Sequence, residues 1–314
     1  MAPFITWKLF SFLSFLSLVV PYLVFTNILF FTYWSFRRKK YLLISLFVLL
    51  LGYLTQGTFV KFFNSNAKIR NDDISILTFN THRSNGIYWS RNPGFGNKIA
   101  EFIAKQNSDI VCFQEFDVGK EIEYEQYPYQ YLNGTFRRND RMPQAIYSKY
   151  PIVAKGSLNF TETSNNAIYV DVVINEDTLR IYSVHLESLN IRPWIFKKEP
   201  SDRLLGRLDK SFQKQLEQAL MVRESKDAVP HRSIICGDLN NTQFSSVYNT
   251  LKGDMKDSFQ ELGFGFGSTY DFMFLPFRID YILADDNIVI TAHKNFDVKL
   301  SDHTPIMASF RLKD

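Results

Sequence analysis

The first seventy residues contain no aspartate or glutamate, although they carry eight of the chain's 36 lysines and arginines. Residues 71–314 therefore hold 28 basic against 32 acidic residues, a mildly acidic balance. That balance argues against the broad basic face of a protein built to grip long nucleic acid. Cysteine is equally scarce. Cys112 and Cys236 are too few for a disulfide framework, neither has a metal-type spacing around it, and both sit in apolar runs as buried thiols. No internal repeat or low-complexity tract is present. What is abundant is apolar and aromatic: 46% hydrophobic and 16% aromatic over 314 residues, enough for a sizeable core.

Two long uncharged runs open the chain, Leu9 to Phe36 and Tyr41 to Val60, separated by Arg37-Arg38-Lys39-Lys40. Each reaches the ~20 residues needed to cross a bilayer core. The first is too long for a signal peptide, lacks an A-x-A-like site and is followed at once by a second run. Trp7, Tyr33, Trp34, Tyr41 and Tyr53 fall near the ends, where aromatic rings favour the interface. The expectation is a two-helix transmembrane hairpin over residues 1–63, with spans at about 9–36 and 41–60. Its connector holds four positive charges, against Lys8 on one outer flank and Lys61, Lys68 and Arg70 on the other. The connector is thus expected in the cytoplasm, and the rest of this multi-pass inner or plasma-membrane protein on the periplasmic or extracellular side.

A polar tether over 64–73 leads to one domain over 74–314. Short β-branched and aromatic runs predict strands at Ile74–Asn80, Ile110–Glu115, Ala145–Ser148, Tyr169–Ile174, Leu179–His185, Ile234–Asp238, Ile279–Leu283 and Pro305–Arg311. Apolar residues at spacings of three and four predict helices over 95–106, through Ile99, Phe102 and Ile103, and over 206–226, through Leu208, Phe212, Leu216 and Leu220. Strands outnumber helices, which predicts a two-layer sheet core with helices outside it.

Polar residues gather at the strand ends. Five apolar strands hand over to Asn80, Gln114-Glu115, His185, Asp238-Leu239-Asn240 and Asp280, and Ser301-Asp302-His303 precedes the last strand. One such residue is ordinarily where a strand meets water. Six together imply that neighbouring strands deliver their ends to one rim, where open sheets bind ligands. Glu115, Asp302 and Asn80 offer the hard oxygens that Mg²⁺ or Mn²⁺ takes. Asp238 and Asn240, two apart, can orient a water and hold a phosphoryl oxygen. His303 and His185 can each donate to an anionic oxygen, and Asp280 can orient one of them.

With these motifs in this order, residues 74–312 resemble the endonuclease/exonuclease/phosphatase superfamily, which includes DNase I, the AP endonucleases, neutral sphingomyelinases and inositol polyphosphate 5-phosphatases. The resemblance rests on the Asn80 strand, Gln114-Glu115, Ser-Val-His-Leu-Glu around His185, Gly-Asp-Leu-Asn at 237–240, Arg-Ile-Asp-Tyr-Ile at 278–282 and Ser-Asp-His at 301–303. It implies an α/β four-layer sandwich, two packed mixed β-sheets flanked by helices, that cleaves phosphoesters with a divalent metal, Mg²⁺ or in its place Mn²⁺. The apolar N-terminus also looks like that of membrane-anchored bacterial members.

Carried over motif by motif, the resemblance implies that Glu115 is the main metal ligand, with Asn80 and Asp302 in or beside its shell. Asp238 would activate the water and Asn240 hold the scissile phosphate. His303 would contact that phosphate as an imidazolium oriented by Asp280, and His185 would be a second phosphate contact or the acid for the leaving oxygen. Tyr270 would line the substrate site or lie in the core. His185 matches the DNase I, sphingomyelinase and phosphatase branches, whereas Gln144 stands where the family usually has glycine. The basic and aromatic segment 190–206, with Arg192, Trp194, Lys197, Lys198 and Arg203, is read as a solvated loop, or else as a substrate or lipid-headgroup contact. His82, His231 and His293 carry no motif. The expected partners are a phosphoester substrate and the bilayer along residues 9–60, and no protein partner is inferable. A nuclease, a sphingomyelinase-like lipid phosphodiesterase and a non-catalytic binding module on the same fold stand as alternatives.

Overall fold

The computed structural model describes residues 16–62, 73–84, 94–116, 125–135, 141–190, 199–272 and 275–312. Trp7, Lys8, the 64–72 part of the tether and the Arg192–Lys198 part of the basic segment lie outside the described residues. Two apolar helices come first, α1 (Leu16–Phe36) and α2 (Leu42–Gln56), packed against each other. By length and composition α1 is able to cross a membrane, and α2 is a shorter apolar helix. The second apolar run thus yields 15 helical residues rather than 20, because Gly57 at a φ of 74° turns the chain out of the helix.

Beyond the hairpin two six-stranded mixed sheets pack face to face. In chain order the first contains β1 (Ile74–Asn80), β2 (Ile110–Gln114), β3 (Tyr129–Asn133), β4 (Gln144–Ser148), β13 (Ile288–Asn295) and β14 (Ile306–Leu312), arranged β13-β14-β1-β2-β4-β3. The second contains β5 (Ile152–Ser157), β6 (Ala167–Ile174), β7 (Asp177–His185), β8 (Arg232–Asp238), β9 (Lys256–Asp257) and β12 (Asp280–Ala284), arranged β5-β6-β7-β8-β12-β9. One parallel pair lies in each sheet, β1 beside β2 and β7 beside β8. Each is joined by a crossover carrying a helix: α3 (Gly94–Gln106) for the first and α4 (Ser201–Asp227) for the second.

The period-two alternation of the strands explains the layers. On β1, Ile74 and Ile76 face the layer between the sheets, where they meet Ile110, Cys112, Ile146, Val170, Ile181, Ile234, Cys236 and Ile282. Leu77 and Phe79 point the other way and pack with Ile99, Phe102 and Ile103 of α3. On the second sheet, Ile235, Tyr281 and Leu283 pack against Leu204, Leu208, Phe212 and Leu216 of α4. The two thiols are free and buried in the inner layer. Leu220, expected on the buried face of α4, is 45% exposed, and Ala219 and Val222 are buried instead. Four-residue steps advance 400° on a helix of ~100° per residue, so three steps from Leu208 carry a side chain ~120° off the seam.

Candidate active site

The parallel pairing that fixes the sheets also collects the polar residues. Asn80 is in register with Gln114 at the ends of β1 and β2, and His185 with Asp238 at the ends of β7 and β8. Asp280, the first residue of antiparallel β12, pairs with Asp238 from the other side. β14 runs antiparallel to β1, so the Asp302-His303 segment that precedes it arrives at the same rim. All six clusters singled out in the sequence meet there.

Asp238 is the hub. Its Oδ2 accepts from Asn80 Nδ2 at 3.0 Å and lies 3.7 Å from both His185 Nε2 and His303 Nε2, while its Oδ1 accepts from the Asn240 backbone N–H at 2.7 Å. Burial, with Asp280 beside it, pushes the Asp238 carboxyl up to about 6 against the opposing pull of His303, His185 and that N–H. His303 Nδ1 is 2.9 Å from Asp280 Oδ2. Burial disfavours the imidazolium, but Asp280, Asp238 and Asp302 outweigh it and hold His303 at about 10. Asp280 is itself fixed by Thr269, whose Oγ1 accepts from the Ile279 and Asp280 backbone N–H groups at 3.0 Å each. The Tyr270 ring lies 5.0 Å from that of His303, and the two residues form a backbone bridge.

Glu115 sits one residue past β2, its carboxylate 3.8 Å from His185 Nε2. Asn240 Nδ2 donates to the Leu186 carbonyl at 2.9 Å. His82, given no role from sequence, is buried with Nδ1 3.2 Å from Asp302 Oδ1. Burial raises the Asp302 carboxyl, yet the His82 hydrogen bond and the charges of His303 and His82 bring it down to about 2. The signal for His82 was its place two residues beyond Asn80, whose Oδ1 accepts from the His82 backbone N–H at 3.1 Å. Of the ten non-glycine described residues with positive φ, four stand here: His82, Arg83, Glu115 and Asn240. Left-handed backbone of that kind costs ~1 kcal/mol or more per residue outside glycine, and it gathers at functional sites.

Two further features hold the rim. Gly237, at a φ of 128°, lies so close to β7 that a Cβ would stand 2.1 Å from the Val184 carbonyl oxygen. Gln144 fills the place where glycine was expected, wholly buried, and its Nε2 reaches across to the Ser183 carbonyl at 3.2 Å. Gln114 makes a second crossing, from its Nε2 to Ser183 Oγ at 2.9 Å.

Asp238, Asp280 and His303 bring potential ligand atoms within 4.8 Å of one another, the one such trio found among the described residues. A ring held as imidazolium and bonded through Nδ1 to Asp280 has no lone pair for a metal, so His303 offers a donor from Nε2 rather than a ligand. The carboxylates of Glu115 and Asp302 are more open, with side chains 18% and 31% exposed against 1% for Asp238.

The structure is similar to several solved ones at identities that bear on the fold alone. They include a humanized D. rerio TDP2 (16% identity, TM-score 0.58, covering 77% of this chain and 100% of that one). The human Nocturnin catalytic domain with bound sulfate gives 14% identity and a TM-score of 0.60 over 81% of this chain and 98% of that one. A mannosyl-6-phosphatase from Bacteroides thetaiotaomicron VPI-5482 gives 17% and 0.56 over 76% and 100%. No curated protein matches the sequence. Residues 1–59 match a domain of unknown function, DUF8431. Residues 77–303, from the middle of β1 to the dyad histidine, match the Endonuclease/Exonuclease/phosphatase family; by that match the chain belongs to this family of phosphoester hydrolases.

Proposed function

We propose that this enzyme is a membrane-anchored, divalent-metal-dependent phosphoesterase that cleaves a phosphodiester or phosphomonoester by in-line attack of an activated water. The observation that carries the reading is the convergence of a buried carboxylate, Asp238, 3.7 Å from two imidazoles, His185 and the Asp280-bonded His303. The donor set fits a hard cation. Glu115 accepts no side-chain hydrogen bond among the described residues, and with Asn80 Oδ1 and Asp302 it offers oxygen without thiolate. These three residues would hold Mg²⁺ or Mn²⁺, which when bound withdraws charge from a phosphoryl oxygen.

The chain's own groups supply the rest. Asp238, largely ionised at pH 7, takes the proton of the attacking water, and Asn80 and the Asn240 N–H fix the carboxylate plane. His303 donates from Nε2 to a phosphoryl oxygen while Asp280 holds Nδ1–H, and His185 contacts the same phosphate or protonates the leaving oxygen. Asn240 and Tyr270 flank the substrate. Displacement with inversion at phosphorus follows from attack opposite the leaving group.

Two apolar helices joined by Arg37–Lys40 support an inner or plasma-membrane anchor of the bacterial type, with the catalytic domain on the periplasmic or extracellular side. The acidic balance of residues 71–314 weighs against long nucleic acid, which leaves lipid and small phosphoesters ahead of a nuclease. The test is a phosphoester panel on the purified chain with Mg²⁺ and with Mn²⁺. Activity should vanish in EDTA and in Glu115→Gln while the fold is retained. Full activity in either condition would refute the metal reading.

A further inference from the structure

The hairpin does not simply precede the catalytic domain; it is docked on it. At the start of α1, Ser17 is buried, its Oγ 3.4 Å from Asn241 Oδ1, and its carbonyl accepts from Thr242 Oγ1 at 2.9 Å. Farther along α1, the Tyr22 ring lies 6.4 Å from that of Phe277 on β11 (Leu275–Phe277), whose partner strand β10 (Tyr270–Phe272) carries Tyr270. Just past α2, the Thr58 carbonyl accepts from Gln243 Nε2 at 3.2 Å and from Gln260 Nε2 at 3.1 Å. Lys61 and Gly265 exchange backbone hydrogen bonds at 2.9 and 2.8 Å. Of the residues that receive the hairpin, Asn241, Thr242 and Gln243 directly follow Asn240, and Phe277 lies on the strand paired with the one that carries Tyr270, so the anchor packs beside the rim.

The height of this docking is measurable against a bilayer. From the connector to the first contacts with the domain, α2 offers its 15 residues, and α1 offers the 15 from Phe36 back to Tyr22. Both lengths come to ~22 Å at ~1.5 Å per residue. A hydrocarbon core is ~30 Å thick. Tilting the helices only shortens their reach, so ~8 Å of the core is left for whatever surrounds Thr58 and Phe277. What surrounds them is aromatic. Phe59 lies 5.5 Å from Phe266 and 6.3 Å from Phe244, and Phe62, Phe264 and Phe266 are 75%, 65% and 50% exposed. Three exposed phenylalanines held together by the Lys61–Gly265 bridge are costly in water, at about 25 cal/mol per Å² of ring surface.

We infer that Phe62, Phe264 and Phe266 form a collar that enters the outer leaflet at the level of the headgroups and upper acyl chains, completing the short hairpin and seating the phosphoester site on the lipid surface. The inference rests on the reading of the two apolar helices as membrane-spanning. It commits to lipid as the occupant because the collar is continuous with helices whose outward residues, such as Phe47 and Leu54, are themselves exposed and apolar.

The experiment uses the full chain in phosphatidylcholine/phosphatidylglycerol vesicles, with a nitroxide placed at Phe264→Cys, Phe266→Cys, Leu29→Cys or Val153→Cys. The native thiols are buried and stay unlabelled. Leu29 lies within α1, and Val153 is exposed on β5, the opposite edge of the second sheet from β9. Collisions with oxygen should exceed those with a water-soluble nickel chelate at 264, 266 and 29, with the reverse order at 153. If 264 and 266 behave like 153 while 29 remains in lipid, the collar is wrong and the anchor stands. Poor access of both probes to 264 and 266, as when residues 1–15 or a second copy covers them, also overturns the collar. A water-exposed label at 29 overturns the anchor itself.

Discussion

Arg278 belongs to the Arg-Ile-Asp-Tyr-Ile motif but touches no part of the site; it is locked in a buried ion pair whose removal has a calculable cost. Its Nη1 lies 2.6 Å from Asp257 Oδ2, with side chains 6% and 0% exposed, and its guanidinium lies 4.5 Å from the Tyr281 ring centre and 4.8 Å from that of Phe259. Asp257 also accepts from Tyr248 Oη at 2.6 Å and caps the short helix Ser258–Leu262 through the Phe259 N–H at 2.9 Å. Asp257→Asn keeps the shape and leaves an oxygen for the cap, but leaves the buried Arg278 cation without a counter-charge, hydrogen-bonded to the neutral Gln243 Oε1. Breaking one partner of such a pair costs ~3–5 kcal/mol, whereas replacing both by apolar residues is often neutral. At ~2–4 °C per kcal/mol for a domain of this size, the melting temperature should fall by roughly 6–20 °C. Thermal unfolding of the detergent-solubilised chain by near-UV circular dichroism reads the shift. Asp257→Leu combined with Arg278→Met should recover much of it. A single variant within ~2 °C of wild type, or a double variant less stable than the single, would refute the argument.

In the dyad, His303→Ala and Asp280→Asn should each lower turnover by ~10²-fold or more, and the double variant should be no worse than His303→Ala, because Asp280 acts through the ring; additive losses in steady-state kinetics would separate the two roles. His293, bonded to Ser258 and Asn295, is pulled from 6.5 to about 4, chiefly by burial. Its folded pKa lies below its unfolded one, so its contribution is complete above pH ~6.5 and is lost as pH falls towards 4, by at most about 3 kcal/mol. Urea unfolding between pH 7 and 4 should show this acid limb flattened in His293→Asn, and an unchanged slope would remove His293 as its source. Gly237→Ala should destabilise the chain and cut turnover together, since a Cβ there collides with the Val184 carbonyl; retained stability in the same unfolding assay would contradict that.

The strands legible in the sequence are the central ones, such as β1, β2, β7 and β8, where burial on both faces leaves a continuous apolar signature. Missed were β3 and β5, at sheet edges, whose exposed residues Tyr129, Leu132 and Val153 face water and follow no core pattern. β13 was missed too: it opens on Ile288-Val289-Ile290 but ends on His293-Lys294-Asn295, which dilutes the run. The residues gathered at the rim were readable because each lies at or beside a strand terminus, so that one-dimensional punctuation encodes a shared rim. His82 and the Gln144 crossing were not, because their meaning lies in partners that only tertiary pairing supplies. The docking of the hairpin was likewise invisible, since Ser17 and Thr242 are 225 positions apart.

The sandwich has a consequence for how distant changes reach the chemistry. Asn80 belongs to one sheet and Asp238 to the other, and their 3.0 Å bond, like the two reaching Ser183, spans the seam between the sheets. The two sheets therefore work as the jaws of a calliper, its gap gauged by the inner apolar layer. A methyl group added or removed beside Cys112 or Cys236, both part of that layer, acts as a wedge or a shim. The jaws transmit the change to the Asp238 carboxylate, so substitutions that touch no polar group would be felt at the rim as well as in the stability of the core.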